Sequence, residues 1–94
     1  MEIFLIITYT VAKKDQMTFQ QNFSKLIEKS EKDKGCIWYS MTQSLEIENT
    51  YKLIERWESQ TDLDNHVSSP SMDPYRMMIE PLVISSKKEI LYGI

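Results

Sequence analysis

His66, the chain's one histidine, is the side chain best suited to moving a proton near neutral pH. It lies three residues after Leu63 and one before Val67, on the inward side of a helix. There it can serve as general base or hydrogen-bond donor in a ligand cavity, or pack and donate a single hydrogen bond. Glu55 and Trp57 alternate with Arg56 and Glu58, so the two share one face of a strand. A carboxylate beside an indole on a buried face can hold a raised pKa and act as base. More often such a pair is an aromatic core residue next to a carboxylate that satisfies a neighbouring polar group. The hydroxyls of Tyr39, Tyr51 and Tyr75 are able to orient a phenolic or quinone-like ligand, although tyrosine is commonly an amphipathic core residue. Met72, Met77 and Met78 suit a cavity wall or an irregular core.

Other chemistries lack their residues. There is no glycine-rich dinucleotide or phosphate loop and no HExxH, and one histidine rules out a multi-histidine metal site within one subunit. Cys36 is the only cysteine, so no intrachain disulfide or CxxC pair exists. It follows a glycine and reads as a small buried hydrophobe. An enzyme built from this set is expected to work without a cofactor. The net charge of −3, with basic residues scattered along the chain, argues against a nucleic-acid partner. The apolar run Met1–Ile7 has an acid in place of a basic lead and is far shorter than a membrane span. It reads as a buried strand, and the cytoplasm is the expected location.

The elements that must position these residues follow from periodicity. Residues 2–11 are β-branched and aromatic and form a first strand. Over 15–33 the period changes: Phe19, Phe23, Leu26, Ile27 and Ser30 make one helical stripe. Asp15 suits its start, Lys29, Lys32 and Lys34 its end, and Gly35 its C′ position. Residues 36–45 and 50–58 read as strands joined by the short connection 46–49. Ser59-Gln60-Thr61-Asp62 resembles a capping box, with Asp62 in place of the usual Glu. Pro70 and Pro74 divide the following segment into two short helices, and 83–92 supply a last strand. The order is βαββαβ, an α+β domain over residues 1–94.

Both faces of this sheet look apolar. Ile3, Leu5 and Ile7 oppose Phe4 and Ile6; Ile37, Tyr39 and Met41 oppose Trp38; Tyr51, Leu53 and Trp57 oppose Ile54. Helices of a βαββαβ unit cover one face only. A homodimer, sheet against sheet, is the expected cover for the other. An interior between the two sheets is also where a small ligand would be expected to fit.

Three segments then resemble the antibiotic biosynthesis monooxygenase family: Gly35-Cys36-Ile37-Trp38-Tyr39, Ile54-Glu55-Arg56-Trp57-Glu58-Ser59, and Leu63-x-x-His66 followed by Ser69-Pro70. The second and third are most similar to the bacterial quinol monooxygenases. The resemblance implies a ferredoxin-like fold paired into a dimeric α+β barrel. It also implies cofactor-free oxidation of a small aromatic quinol or phenol by O₂. His66 would then be the base with Glu55 second, while Trp57 and Tyr39 would position the ring. Where the family often carries a second histidine and an aromatic after Ser-Pro, this chain has Ser71 and Met72. The family's haem-degrading branch uses an asparagine on the first strand and a later histidine; Thr8 and Tyr9 stand here, and no histidine follows Tyr75. An isomerase acting on a small keto or sugar-like metabolite and a non-catalytic ligand-binding dimer are the alternative readings.

Overall fold

The computed structural model describes residues 1–94. Strands β1 (Ile3–Val11), β2 (Cys36–Gln43), β3 (Thr50–Trp57) and β4 (Val83–Tyr92) form one antiparallel sheet in the order β2-β3-β1-β4. Helices α1 (Gln16–Glu31), α2 (Gln60–Ser68) and α3 (Asp73–Ile79) lie on one face of it. This is the βαββαβ, ferredoxin-like arrangement expected, with the second helical segment broken in two. No helix is long and apolar enough to cross a membrane.

Sequence patterning explains each element. In α1 the buried residues are Phe19, Phe23, Leu26 and Ser30, the stripe that the spacing predicts. Tyr9 of β1 meets Phe19 and Phe23 edge-on, each at 5.7 Å between centroids, which seats α1 over the middle of the sheet. The Ser59 hydroxyl accepts the Asp62 N–H at 3.1 Å and so starts α2. Pro74 sits in the first turn of α3, where its missing N–H costs nothing. In β3 the inward residues Tyr51, Leu53, Glu55 and Trp57 are all buried. A strand with its inward face fully covered is a rigid mount for the three members of that set that carry polar atoms, Tyr51, Glu55 and Trp57.

Three expectations are corrected. Gly35 does not terminate α1, which ends at Glu31. Gly35 instead makes the turn into β2 at φ +83°, a conformation that favours glycine. Ile37 does not share a face with Tyr39. The pairing steps from Cys36↔Trp57 to Trp38↔Arg56, leaving Ile37 as the extra residue of a bulge with an exposed side chain. The outer face is apolar over only part of its area. Phe4, Ile6 and Ile54 are half-buried and Trp38 is 58% exposed at one end, while Thr8, Thr42, Lys52 and Lys87 occupy the other. Arg56 crosses the apolar end 5.8 Å from the Phe4 ring centroid and is held by Glu2 through two bonds of 2.8 and 2.7 Å.

Candidate active site

A cavity of about 550 Å³ opens between the sheet and the helices. Its floor is Leu5, Ile7 and Tyr9 of β1 with Leu53 and Glu55 of β3 and Tyr39 of β2. Phe23 and Leu26 of α1, His66 of α2 and Ile79 of α3 make the walls, and Lys88, Ser86 and Arg76 also line it. The hollow therefore lies on the helix side, within one chain. This differs from the expectation of a ligand space between two paired sheets. Strands whose two faces are both apolar do not reveal which face is tightly packed; only the helix seating decides it.

His66 is 4% exposed and sits against Trp57, with ring centroids 4.6 Å apart, and against the edge of Tyr39 at 5.7 Å. Its Nδ1 is 2.6 Å from Asp33 Oδ2, which also accepts from Lys29 Nζ at 2.6 Å. An ionised carboxylate only accepts, so Nδ1 carries the proton and donates it. Nε2, across the ring, is left as the acceptor. Burial is the largest influence on His66 and lowers its pKa; Asp33 opposes this, Lys29 and Arg76 add to it, and the net is a value below that of free imidazole. At neutral pH the ring is an uncharged base. Burial pushes Asp33 up, but the hydrogen bonds from Lys29 and His66 outweigh it and hold the carboxyl below its ordinary value.

Glu55, 2% exposed, accepts the Trp57 indole N–H at 2.9 Å. Burial raises its pKa to about 7, against the lowering effects of that hydrogen bond and of Lys88. Burial and then the charge of Glu55 push the hydroxyls of Tyr9 and Tyr39 well above the usual phenol range, so both remain donors at any physiological pH. Burial likewise lifts the Cys36 thiol to about 11, which leaves it protonated and a poor nucleophile.

The raised Glu55 pKa links stability to pH. Between its ordinary value of 4.5 and about 7 the folded chain keeps a proton that the unfolded chain has released. The stability this contributes is fully present below the lower value and gone above the higher one, at most roughly 3 kcal/mol. Glu55→Gln keeps the shape and removes the titration. Its urea midpoint is expected to match wild type near pH 4 and to exceed it at pH 7.5. Parallel midpoints at both pH values would place Glu55 in the ordinary carboxylate range.

Residues 2–76 match the family model of the antibiotic biosynthesis monooxygenases. The chain belongs to that family. Comparison with curated protein sequences finds no significant match. Solved structures share the fold at low identity. A conserved protein from Methanosarcina mazei Go1 is 22% identical over 99% of this chain and 93% of that one, with a TM-score of 0.92. A candidate antibiotic biosynthesis monooxygenase from Caulobacter crescentus is 23% identical over 99% and 90%, with a TM-score of 0.94. SnoaB, a cofactor-independent oxygenase from Streptomyces nogalater, is 15% identical over 99% and 93%, with a TM-score of 0.90.

In this antibiotic biosynthesis monooxygenase family member, four of the seven candidate site residues meet at the cavity: His66, Glu55, Tyr39 and Met72. Trp57 does not reach it. The indole is fully buried beneath His66 and acts on the site through its stacking and its bond to Glu55. Tyr51 is drawn away, its hydroxyl accepting from Gln20 and donating to Gln16, each at 2.8 Å. Tyr75 lies instead on a surface cleft with Lys25, Glu28 and Lys29. Ser71 is exposed and bonded to Ser69 at 2.7 Å, outside the cavity lining. Spacing alone missed Asp33, Tyr9, Arg76 and Lys88. Tyr9 had a legible signal, since it continues the inward alternation of Ile3, Leu5 and Ile7.

Proposed function

We propose that this chain is a cofactor-independent monooxygenase that oxidises a small aromatic quinol or phenol with O₂. One observation carries the reading: a neutral, buried His66 lines a largely apolar cavity with protonated tyrosines, and Asp33 takes its Nδ1, which leaves Nε2 without a hydrogen-bond partner. Family membership supports monooxygenase chemistry of this type.

Such a reaction needs electrons that no side chain here supplies, so the substrate supplies them. Conversion of a quinol and O₂ to a hydroxyquinone and water balances without an external reductant. His66 Nε2 takes the phenolic proton, and the phenolate that results is the stronger reductant. It passes one electron to O₂, and the aryloxyl radical and superoxide combine to form the new C–O bond. Loss of water completes the oxidation. The Tyr9 and Tyr39 hydroxyls are donors for the developing phenolate, and the apolar walls hold its ring.

A second reading has its own support. Glu55, with a pKa near 7, and His66 line one cavity, a pairing suited to shuttling a proton in an isomerase. Oxygen separates the two. Purified protein with reduced naphthoquinones and other polyphenols should consume O₂ above the uncatalysed rate and fall silent under argon. Turnover of a keto or sugar-like substrate that persists under argon would favour the isomerase, and ligand binding with no product in either gas would leave a binding module.

The apolar end of the outer sheet face supports a homodimer, with Phe4, Ile6, Trp38 and Ile54 as its centre. Ile54→Lys should convert a dimer to a monomer in sedimentation while leaving the cavity, on the opposite face, intact. Wild type that sediments as a monomer at micromolar concentration would overturn the dimer.

A further inference from the structure

His66 lines two spaces. One is the cavity; the other is a small polar cleft on the outer surface that it shares with Asp33, Asp62, Asn65 and Ser69. No other residue lines both. Its ring therefore stands between the two spaces, with Nδ1 on the side of Asp33 and the outer cleft. Nδ1 meets Asp33, whose side chain is 25% exposed in the outer cleft. Lys29, 14% exposed, fixes the same Asp33 oxygen from one helical turn away.

We propose that Asp33 is the positioning residue of His66, holding the ring as the Nδ1–H tautomer with Nε2 open to the cavity and passing protons between that ring and outside water. The inference builds on the role of His66 in the proposed function, but the tautomer is a property of the resting protein. Proton flow balances as follows. Uptake at Nε2 forms an imidazolium. Release of the Nδ1 proton to Asp33 Oδ2 and on to water leaves the neutral Nε2–H form. A proton returning through Asp33 to Nδ1 then allows the Nε2 proton to be delivered to the reduced oxygen. The cycle as a whole neither gains nor loses a proton.

The charged groups that face His66 are Lys29 of α1, Asp33 in the turn that follows it and Arg76 of α3; Glu55 of β3, Lys88 of β4 and Glu80 also line the cavity, and Lys34 and Asp62 line the outer cleft. Among these, Asp33 alone is close enough to bond the ring. It works against the lowering produced by burial, so its removal should shift the acid limb of the kcat/KM profile to lower pH.

The test reads the tautomer first. Two-dimensional ¹⁵N spectra of wild type at pH 8 should show His66 protonated at Nδ1, and Asp33→Ala should move it towards the Nε2–H form. Asp33→Asn, which keeps the volume, serves if the alanine variant does not fold. Its amide keeps a neutral acceptor for Nδ1, and the expected readout is a lower His66 pKa in the same spectra. With a turned-over quinol, Asp33→Ala should lose about 10–10² in kcat with KM little changed. Added imidazole or acetate should restore part of that loss, and Asp33→Glu should keep most of the activity. A wild-type Nε2–H tautomer, or one unmoved in Asp33→Ala, overturns the proposal, as does a loss of kcat that small buffers and the Glu variant leave untouched. If no quinol is oxidised by wild type, the monooxygenase reading fails and the spectra still decide the role of Asp33.

Discussion

Replacing His66 with Asn is expected to lower kcat for quinol oxidation by about 10²–10⁴-fold, the usual contribution of a placed general base. KM should move little, because the apolar walls that hold the ring, Leu5, Ile7, Leu53 and Phe23, are untouched. Asn is the informative substitution. Its amide nitrogen can stand where Nδ1 stands and keep the bond to Asp33, so Lys29 and Asp33 remain satisfied while the Nε2 acceptor disappears. An alanine there would also uncover Trp57, whose face the imidazole now covers, and mix lost packing with lost chemistry. Circular dichroism and thermal melts should show the Asn variant folded. A folded His66→Asn protein with wild-type kcat would remove His66 from the mechanism and leave Glu55 as the only candidate base.

The largest effect on stability is expected at Gly35. A side chain there pays first for φ +83°, about 1–2 kcal/mol for an L-residue. It then collides: a Cβ would lie 2.3 Å from Asp62 Oδ2, 2.4 Å from Cγ and 2.5 Å from Cβ. The last of these is fixed to the backbone of α2 and cannot rotate away. Asp62 is in the first turn of α2, tied to Ser59 by its own N–H and by a 3.0 Å bond from the Ser59 hydroxyl. His66 is one turn further along the same helix face. Gly35→Ala should therefore cost about 3 kcal/mol or more, a fall in Tm of at least about 12 °C for a domain of this length, and should also lower kcat by displacing His66. Asn tolerates positive φ better than Ala. If the collision dominates, Gly35→Asn will be no better than Gly35→Ala; if Asn rescues most of the loss, backbone strain is the cause.

Much of this was legible in the residues. The stripe of Phe19, Phe23, Leu26 and Ser30, the alternation through β1 and β3 and the Ser59–Asp62 start of α2 encode local structure at short range, where periodicity and capping act. The inward placement of His66 follows from Leu63 on the same helix face. What was not legible depends on tertiary contact. Asp33 and His66 are 33 positions apart, and nothing local marks a lysine-flanked aspartate as the partner of a distant imidazole. Tyr51 alternates correctly yet sends its hydroxyl to Gln16 and Gln20 of α1, because that is where the helix passes. Tyr75 keeps helical spacing, but the single turn at Pro70–Met72 sets α3 so that Met72 and Ile79 enter the core. The bulge at Ile37 breaks an alternation that the sequence shows as unbroken, and no turn residue announces it.

The most direct test of the central claim is the fate of the oxygen atoms. Protein dialysed against chelator is mixed under ¹⁸O₂ with a reduced naphthoquinone that it turns over, and the product is weighed within seconds by mass spectrometry. The account predicts a product heavier by one ¹⁸O atom, one O₂ consumed per product, and loss of this yield in His66→Asn. Unlabelled product, hydrogen peroxide formed in equal amount to quinone, or labelling that is the same without His66 would contradict it.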